Sequence, residues 1–384
     1  MARLSTIDIL GAGPAGLYTA ILFKRAMPGA RVRLLERNPP DATFGFGVVF
    51  SDRALDFLAV DDPEIHELLV PNMERWRNMT LVHRGEAVVI DGVGFSAIGR
   101  LALLRLLQAR AGSLGVELEF GARVTATSQL AADLIVGADG VHSMVRAEDE
   151  PSFAPEQQFF ANRFAWFGTP RRFATLTQTF VHTEHGPLNA HHYRYSGEMS
   201  TFIVEVDPKT FAAAGFDAMS EGESARACAA MFADALDGAP LVANQSLWRR
   251  FPLIWCERWV SGNRALVGDA AHTAHYSIGS GTRLAMEDAI ALVDAVVERR
   301  DLADGLAAYQ AGRPPVARKI VEAANTSATW YERYPAAMTL TPYAFALDYI
   351  MRSGRIDAAR LRRQSPRFVA DYEASTGRRI GDVA

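Results

Sequence analysis

Three glycines near the start of the 384-residue chain lie between a short apolar stretch and a helical pattern. Gly11, Gly13 and Gly16 form the motif GAGPAG, which also contains Pro14 and Ala15. In this pattern the first glycine permits a tight turn, the second lets a pyrophosphate approach the main chain, and the third lets the helix pack on the strand. Free N–H groups at the helix N-terminus stabilise the phosphate charge. The motif therefore predicts a dinucleotide site.

An acidic residue falls where such a site needs one. Glu36 closes the second apolar strand, RVRLLE, and is followed by Arg37, which we include in the predicted site. A carboxylate at this position accepts hydrogen bonds from the two adenosine ribose hydroxyls and repels a 2′-phosphate. FAD or NAD fits this site, whereas NADP does not.

Two further pairs of aspartate and glycine distinguish FAD from NAD. Asp139-Gly140 lies in GADGVHSMVR, and Gly268-Asp269 lies in RALVGDAAH, each at the end of an apolar strand. A flavin has ribityl hydroxyls that a buried carboxylate can bind, and the main chain of residues 279–281 can approach its ring system. A simple dehydrogenase needs neither pair. Each pair alone is commonly an ordinary turn, but together and in this order they favour FAD.

The elements that must position these motifs follow from the apolar periodicity. Strand, turn, a helix from Pro14 to Met27 and a second strand begin a doubly wound parallel sheet. Residues 99–111 have a helical period, and residues 264–298 return to strand, glycine-rich turn and helix. Between them, residues 153–255 are rich in aromatic residues and threonine, with alternating stretches that predict an antiparallel sheet covered on one face.

We therefore predict an α/β protein with three parts. A Rossmann-like FAD-binding domain comprises residues 1–72, 96–152 and 257–330. An inserted antiparallel β-sheet domain for the substrate comprises residues 73–95 and 153–256, and a C-terminal helical segment comprises residues 331–384.

Composition excludes several classes of protein. Hydrophobic residues make up 49% and charged residues 22%, which is typical of a folded enzyme. The 40 basic and 44 acidic side chains give a net charge of −4, which argues against binding nucleic acid. No uncharged apolar run reaches about 18 residues, so we expect no transmembrane helix, and the absence of an overall basic field argues against binding to an anionic membrane. The two cysteines, Cys228 and Cys256, are too few for a disulfide scaffold and suit the cytoplasm.

These motifs together resemble the class A flavoprotein aromatic hydroxylases, over most of the chain to about residue 325. The resemblance implies that the first motif binds the ADP part of FAD, the Asp-Gly pair lies near the pyrophosphate, and the Gly-Asp pair binds the ribityl chain. It also implies cofactor roles for Arg100, at the start of a long helix, and for Gly279, Gly281 and Thr282 in the flavin-ring loop. Ser277 and Thr282 stand where the family usually has proline and asparagine.

Four longer strings are similar to one branch of that family. They are FGFGVVFSD at 44–52, WFGT at 166–169, HHYRYSGEMSTFIVE at 191–205 and HYSIGSGT at 275–282. The branch contains salicylyl-CoA and anthraniloyl-CoA hydroxylases and the violacein-pathway hydroxylase of a tryptophan derivative. The resemblance implies a monooxygenase that uses FAD, NADH or NADPH, and O2. The expected substrate is an aryl-CoA thioester. Its electron-rich ring would take oxygen at position 5 from a flavin C4a-hydroperoxide. An indole substrate and a non-catalytic flavin redox sensor remain alternatives.

The substrate-side candidates are His192 and Tyr193, with His275 beside the flavin loop as a third. Ordinary sheet residues are the alternative for the first two. Gly47, in the loop after the second strand, either leaves room at the flavin edge or forms a flexible turn.

Histidines 182, 185, 191 and 192 suggest a metal site, but adjacent histidines on a strand point to opposite faces, and we predict no metal.

Arg171 and Arg172 either contact the phosphates of CoA or form a solvated basic pair. The expected oligomeric state is monomer or homodimer.

Overall fold

The computed structural model describes residues 4–43 and 45–381, so Phe44, which opens the string FGFGVVFSD, lies outside the described residues. The strands of this part of the chain are β1 (Thr6–Leu10), β2 (Arg31–Glu36), β3 (Gly47–Ser51), β4 (Glu74–Trp76), β5 (Met79–His83), β6 (Glu86–Ile90), β7 (Phe95–Gly99), β8 (Glu117–Phe120), β9 (Leu134–Gly137), β10 (Pro155–Thr169), β11 (Leu176–Thr183), β12 (Gly186–Arg194), β13 (Ser200–Val206), β14 (Arg249–Cys256), β15 (Val260–Ser261) and β16 (Arg264–Leu266).

The α-helices of the same residues are α1 (Pro14–Ala26), α2 (Asp52–Asp61), α3 (Pro63–Leu69), α4 (Arg100–Ser113), α5 (Met144–Glu148), α6 (Glu150–Phe153), α7 (Pro208–Ala213), α8 (Glu221–Met231), α9 (Ala233–Leu236), α10 (Gly281–Val297), α11 (Leu302–Ala337), α12 (Pro342–Met351), α13 (Ala358–Gln364) and α14 (Pro366–Thr376). None of these helices has both the length and the apolar character needed to cross a bilayer.

The chain divides into two compact units. The first comprises Met1–Ala42, Leu101–Phe159 and Pro252–Glu322, and the second comprises Thr43–Arg100, Phe160–Phe251 and Ala323–Ala384. Residues 43–72, which the sequence predicts as part of the FAD-binding domain, belong to the second unit. The predicted start of the C-terminal segment, at residue 331, falls within the continuous helix α11.

The first unit contains the predicted parallel sheet. Its strand order is β15-β16-β9-β1-β2-β8, and all neighbouring pairs are parallel except β15 with β16. Residues 7–10 of β1 are buried, as expected for a central strand covered on both faces. Helix α1 connects β1 to β2 and packs against α10. Because β1, β2, β9 and β16 are parallel, their carboxyl ends lie at one edge of the sheet, which is where ligands bind in such folds.

The second unit contains most of a seven-stranded sheet, ordered β14-β10-β13-β12-β11-β5-β6, and the three-stranded sheet β3-β7-β4. Strands β10 to β13 confirm the antiparallel sheet predicted from the alternating residues. The exception is β5, which pairs with β11 in parallel and therefore makes the sheet mixed.

Each face of this sheet has its own apolar core, and β13 is buried at all seven positions, so the prediction of a sheet covered on only one face is wrong. Phe202 and Val204 pack with Phe211 of α7 and Cys228 of α8. On the opposite face, the core contains aromatic residues of the sheet and of the C-terminal helices: Phe180, Tyr193, Tyr331, Tyr334, Phe345 and Tyr349. The C-terminal helices are thus part of the second unit's core, which explains why so many tyrosines occur in that stretch.

Candidate functional site

The turn between β1 and α1 leaves no room for side chains at two of its glycines. Gly11 has φ +99°, and a Cβ atom there would lie 2.4 Å from the carbonyl oxygen of Ala138. A Cβ atom at Gly16 would lie 1.9 Å from the carbonyl oxygen of Gly11. These two glycines are therefore required by the packing of the protein itself.

Gly13, the second glycine of the motif, is different. No atom lies within 4 Å of the position that its Cβ would occupy, and its φ of −72° suits any residue. Gly13 is also the N-cap of α1, where no side chain caps the helix and no acidic residue lies in the first turn. The space beside Gly13 and the N–H groups at the start of α1 fit the pyrophosphate of FAD.

Glu36 is bound into this turn. Its Oε2 accepts a hydrogen bond from the main-chain N–H of Ala12 at 2.9 Å, and its Oε1 accepts from the N–H and the side-chain amide of Asn38 at 2.8 and 2.7 Å. An ionised carboxylate has about four acceptor positions, so it can also accept from ribose hydroxyls. Arg37 next to it is exposed.

Asp139 follows β9 and lies beside the glycine turn. Its Oδ2 accepts hydrogen bonds from the N–H groups of Met144 at 2.6 Å and Val145 at 3.3 Å, at the start of α5. Its Oδ1 is buried, and no described residue donates a hydrogen bond to it. Burial raises the pKa of the Asp139 carboxyl above its usual value, although the hydroxyl of Ser143 and the N–H of Met144 oppose this shift. A buried acceptor without a donor is what a hydroxyl-bearing ligand would satisfy.

The Gly268-Asp269 turn lies between two helices. Gly268 has φ +61°, and a Cβ atom there would lie 3.2 Å from Cβ of Ala15 in α1 and 3.1 Å from Cβ of Ala285 in α10. Asp269 is exposed rather than buried. Arg146 ties this turn to the Asp-Gly turn, since its guanidinium donates to the carbonyl oxygens of Ala270, at 2.7 Å, and Val141. Arg146 ends the string GADGVHSMVR, but the sequence motif alone did not identify this bridging role.

The flavin-ring loop predicted from the resemblance leads into α10. His275 is buried, and its Nδ1 accepts a hydrogen bond of 3.3 Å from the N–H of Ser277. Gly279 has φ +61°, and Gly281 and Thr282 are the first two residues of α10. The start of this 17-residue helix lacks acidic residues in its first turn and therefore suits a polar or negatively charged edge of a ligand.

The first unit thus brings together most of the predicted cofactor residues. Gly11 and Gly13 follow β1, Glu36 ends β2, Asp139 follows β9 and Gly268 follows β16, all at one edge of the sheet. The close approach of Gly11 to Ala138 and of Gly268 to Ala15 joins these turns into one cradle. The donors and acceptors of the cradle fit FAD.

Arg100, Gly47 and Tyr193 belong to the second unit. The Tyr193 hydroxyl donates to the carbonyl oxygen of Gly47 at 2.9 Å, and the N–H of Gly47 donates to Oγ1 of Thr201 at 2.9 Å. A Cβ atom at Gly47 would lie 2.6 Å from Cβ of Tyr195, so the absence of a side chain at Gly47 makes room for that tyrosine. Arg100 is the first residue of α4.

The adjacent histidines of β12 lie on opposite faces of the sheet. His191 contacts Tyr193, whereas His192 stacks on Phe202, with ring centroids 5.0 Å apart, and its Nε2 is 2.9 Å from Oγ1 of Thr179. Burial, and secondarily the charge of Arg352, lowers the pKa of His191 to about 3. Burial likewise lowers the pKa of His192 well below its ordinary value. His192 therefore lies against the core of Phe202, whereas Tyr193 belongs to the core on the other face of the sheet.

The remaining candidates lie at the surface. His182 and Arg172 are exposed, and Arg171 forms an ion pair of 3.1 Å with Asp237. Among the described residues, no three histidines, cysteines or carboxylates are grouped so that they could hold a metal ion.

Comparisons with known proteins agree with the cofactor identified from the cradle. The pattern of the family described as "FAD binding domain" matches residues 115–324. A salicyloyl-CoA 5-hydroxylase of a Streptomyces species is 40% identical over 362 residues, covering 90% of this chain and 69% of that protein. A 3-hydroxy-4-methyl-anthranilyl-[aryl-carrier protein] 5-monooxygenase of Streptosporangium sibiricum is 35% identical, covering 86% of this chain and 90% of that protein.

A further relative supports the same assignment, and a solved structure shares the fold. The protodeoxyviolaceinate monooxygenase of Chromobacterium violaceum is 30% identical, covering 90% of this chain and 94% of that protein. The crystal structure of a 2-methyl-3-hydroxypyridine-5-carboxylic acid oxygenase has the same fold, with a TM-score of 0.70 and 20% identity, covering 94% of this chain and 96% of that one. The predicted resemblance is confirmed, and the chain belongs to the FAD binding domain family as an FAD-dependent aromatic-ring monooxygenase with NAD(P)H as co-substrate.

Proposed function

We propose that this enzyme hydroxylates a 2-hydroxy- or 2-aminobenzoyl group carried as a CoA thioester, at position 5 of the ring. The observation that carries this proposal is the identity of the two relatives at 40% and 35%, whose names specify an aryl group attached to CoA or to an aryl-carrier protein and oxygenation at position 5. The alternative is an indole-derived substrate, which the relative at 30% identity favours.

The chemistry of the ring is consistent with this position. When bound, FAD supplies the reduction of O2 and the transfer of one electrophilic oxygen atom to an electron-rich ring. A hydroxyl or amino group enriches the carbon para to it, and a carbonyl substituent opposes attack least at the carbon meta to it. In a 2-hydroxy- or 2-aminobenzoyl group, both effects select carbon 5.

In this proposal the first unit holds the cofactor. The N-terminus of α1, beside Gly13, binds the pyrophosphate, and Glu36 accepts from the adenosine ribose. Oδ1 of Asp139 accepts a hydrogen bond from a hydroxyl of the cofactor, directly or through a bridging water. The exposed carboxylate of Asp269 accepts from the hydroxyls of the ribityl chain. Because the sequence has no second dinucleotide motif, NAD(P)H binds transiently.

We assign Tyr193 a positioning role rather than the role of a base. Its hydroxyl donates to Gly47, and burial raises its pKa far above neutrality, so it does not accept a proton at neutral pH. His192 packs among phenylalanines on the opposite face of the sheet, which favours a structural role. His275 caps the turn that begins the flavin-ring loop and in this proposal fixes the shape of that loop.

Arg171 and Arg172 supply positive charge for the phosphates of CoA in this proposal. The ion pair of Arg171 with Asp237 is exposed on both sides, and such surface pairs stabilise a protein by only about 0 to 1 kcal/mol, so Arg171 can exchange partners.

Cys228 and Cys256 are both buried free thiols, which suits a cytoplasmic location.

The decisive assay compares salicylyl-CoA, anthraniloyl-CoA, the two free acids and protodeoxyviolaceinate as substrates of the FAD-loaded enzyme with NADH or NADPH. We expect hydroxylation at carbon 5 of a CoA thioester, with kcat/KM at least about 100-fold above that of the free acid, a difference of about 2.7 kcal/mol. Equal turnover of free salicylate would contradict the thioester proposal, and turnover of protodeoxyviolaceinate alone would establish the indole alternative.

The double variant R171A/R172A tests the phosphate contact separately. It should raise KM for the CoA thioester and leave KM for any free acid unchanged, because only the former has phosphates. Lys209→Ala removes a positive charge from the start of α7 and provides a matched control.

A further inference from the structure

Asp288 is a fully buried carboxylate that lies beneath the Gly268-Asp269 turn. It belongs to α10 and has an exposure of 0%. Its Oδ2 accepts hydrogen bonds from the main-chain N–H of Gly268 at 2.9 Å and from Nε2 of His272 at 2.8 Å. Its Oδ1 accepts from Nε of Arg313 at 2.7 Å. Both carboxylate oxygens are thus satisfied by the protein.

The surroundings of Asp288 keep it ionised. Burial acts to raise its pKa, but His272 and Arg313 lower it by more, so the net shift is below the ordinary aspartate value. Since the ionised carboxylate accepts from Nε2 of His272, that nitrogen carries the proton. The guanidinium of Arg313, which is itself only 7% exposed, neutralises the buried charge.

The same carboxylate determines the geometry of the turn. The carbonyl oxygen of Gly268 accepts from the N–H groups of Ala271 and His272 at 2.8 and 2.9 Å, so the N–H and the C=O of Gly268 are both tied to residues of this network. Gly268 has φ +61° and lies between α1 and α10. Among the described residues, Asp288 is the acceptor of its N–H, and no second acceptor is present. Loss of the Asp288 contact would therefore free the Val267–Gly268 peptide, which leads into the turn that contains Asp269.

We propose that Asp288 is a positioning residue for FAD, which holds the Gly268–Ala270 turn so that Asp269 is directed at the ribityl chain. This inference rests on the role assigned to Asp269 under the proposed function. His272 acts with Asp288, because its side chain donates to the same oxygen and its main chain closes the turn. Neither Asp288 nor His272 contacts the cofactor in this arrangement.

Glu287, the neighbour of Asp288, provides a matched control. It accepts from Arg283 at 2.6 Å and from Arg313 at 3.0 Å, and it makes no hydrogen bond with Gly268. Glu287→Gln therefore weakens the same ionic network without touching the turn. If the network had only a structural role, Asp288→Asn and Glu287→Gln would change the dissociation constant of FAD equally.

The experiment dilutes the purified holoenzyme and its variants and follows the fluorescence of released FAD, which gives the dissociation constant of FAD. Thermal unfolding and the visible circular dichroism of the bound flavin are measured on the same samples. For Asp288→Asn, whose amide nitrogen cannot accept a hydrogen bond, we expect the dissociation constant to rise at least about tenfold and the flavin dichroism to change. For Glu287→Gln we expect a change of less than about twofold, whatever its melting temperature.

Three outcomes separate the possibilities. If Asp269→Ala weakens FAD binding but Asp288→Asn does not, the positioning role is refuted and the proposed function stands. If Asp269→Ala itself leaves the dissociation constant unchanged, the assigned role of Asp269 fails first. If Asp288→Asn gives no folded protein, His272→Ala replaces it, because it removes a donor to the same oxygen, and an unchanged FAD dissociation constant in that variant refutes the proposal.

Discussion

The main-chain N–H of Ala12, inside the glycine turn after β1, donates a hydrogen bond of 2.9 Å to Oε2 of Glu36 at the end of β2. One carboxylate therefore joins the ends of two neighbouring strands, and in our proposal it also accepts from the adenosine ribose. Because the same group stabilises the turn and can bind the ligand, substitutions here must be compared with controls that separate folding from FAD binding.

Gly13→Ala should separate the two effects most cleanly. No protein atom lies within 4 Å of the added methyl group, and φ is −72°, so the variant should fold with a melting temperature close to that of the wild type. The methyl group would occupy the approach of the pyrophosphate, and we expect FAD affinity to fall at least about tenfold, or about 1.4 kcal/mol. Isothermal titration with FAD measures this loss.

Gly112→Ala is the matched control for Gly13→Ala, because it also adds a methyl group with no neighbour within 4 Å, in a helix outside the cradle.

Gly11→Ala should behave in the opposite way from Gly13→Ala. Its methyl group would meet the carbonyl oxygen of Ala138 at 2.4 Å, so the protein itself should be destabilised by about 1 to 3 kcal/mol or more. Normal FAD binding by Gly13→Ala would show that the cradle is misassigned.

Glu36→Gln should weaken FAD binding by about ten- to 150-fold, since a hydrogen bond to a charged group contributes roughly 1.5 to 3 kcal/mol. The amide keeps one acceptor oxygen but loses the charge and the second acceptor. Glu119→Gln on the adjacent strand β8 removes a carboxylate that is 43% exposed and should leave FAD affinity unchanged. Similar losses in both variants would indicate a general electrostatic effect rather than a ribose contact.

Asp139→Asn should change how stability depends on pH. Burial raises the folded-state pKa of Asp139 above the unfolded value of about 3.9, so its protonated form is favoured in the folded protein. The stability that this group contributes is present below the unfolded pKa and is lost as pH rises through the folded pKa. Urea unfolding of FAD-free protein should therefore show that, from about pH 4 to 7, the free energy of unfolding of the asparagine variant rises relative to that of the wild type. A difference in unfolding free energy that stays constant with pH would contradict the raised pKa of Asp139.

Substrate should accelerate reduction of the flavin by NAD(P)H. Without a second dinucleotide motif, hydride transfer depends on a transient complex, and we expect the correct aromatic ligand to increase the rate at least about tenfold, a change of about 1.4 kcal/mol in the barrier. Stopped-flow absorbance measures the rate with and without ligand. Equally fast reduction in the absence of any aromatic ligand would refute this coupling.

The short-range motifs could be predicted from the sequence because each depends on neighbouring residues. The turn around Gly11, the helix that begins at Pro14 and the acidic end of β2 all follow from local residue types and apolar periodicity. The antiparallel sheet was predicted from a composition rich in aromatic residues and threonine and from alternation in the stretches that form β11 and β13.

Contacts that join distant segments could not be predicted in this way. Nothing in the local pattern indicates that Asp288 accepts from the N–H of Gly268, or that Arg146 binds the carbonyl oxygen of Ala270. The parallel pairing of β5 with β11 also joins segments far apart in the chain. For His192, strand alternation predicted a face opposite to that of His191, but only the packing against Phe202 identified that face as an apolar core.

The most direct test of the account is the fate of labelled oxygen. The FAD-loaded enzyme is supplied with 18O-labelled dioxygen, NADH or NADPH and salicylyl-CoA, and the products are analysed by mass spectrometry after release of the acyl group. We predict one 18O atom per product molecule, located at carbon 5 of the ring, with H2O2 as a minor product. Consumption of NAD(P)H that yields only H2O2 with every thioester, or a ring oxygen derived from water, would contradict the assignment.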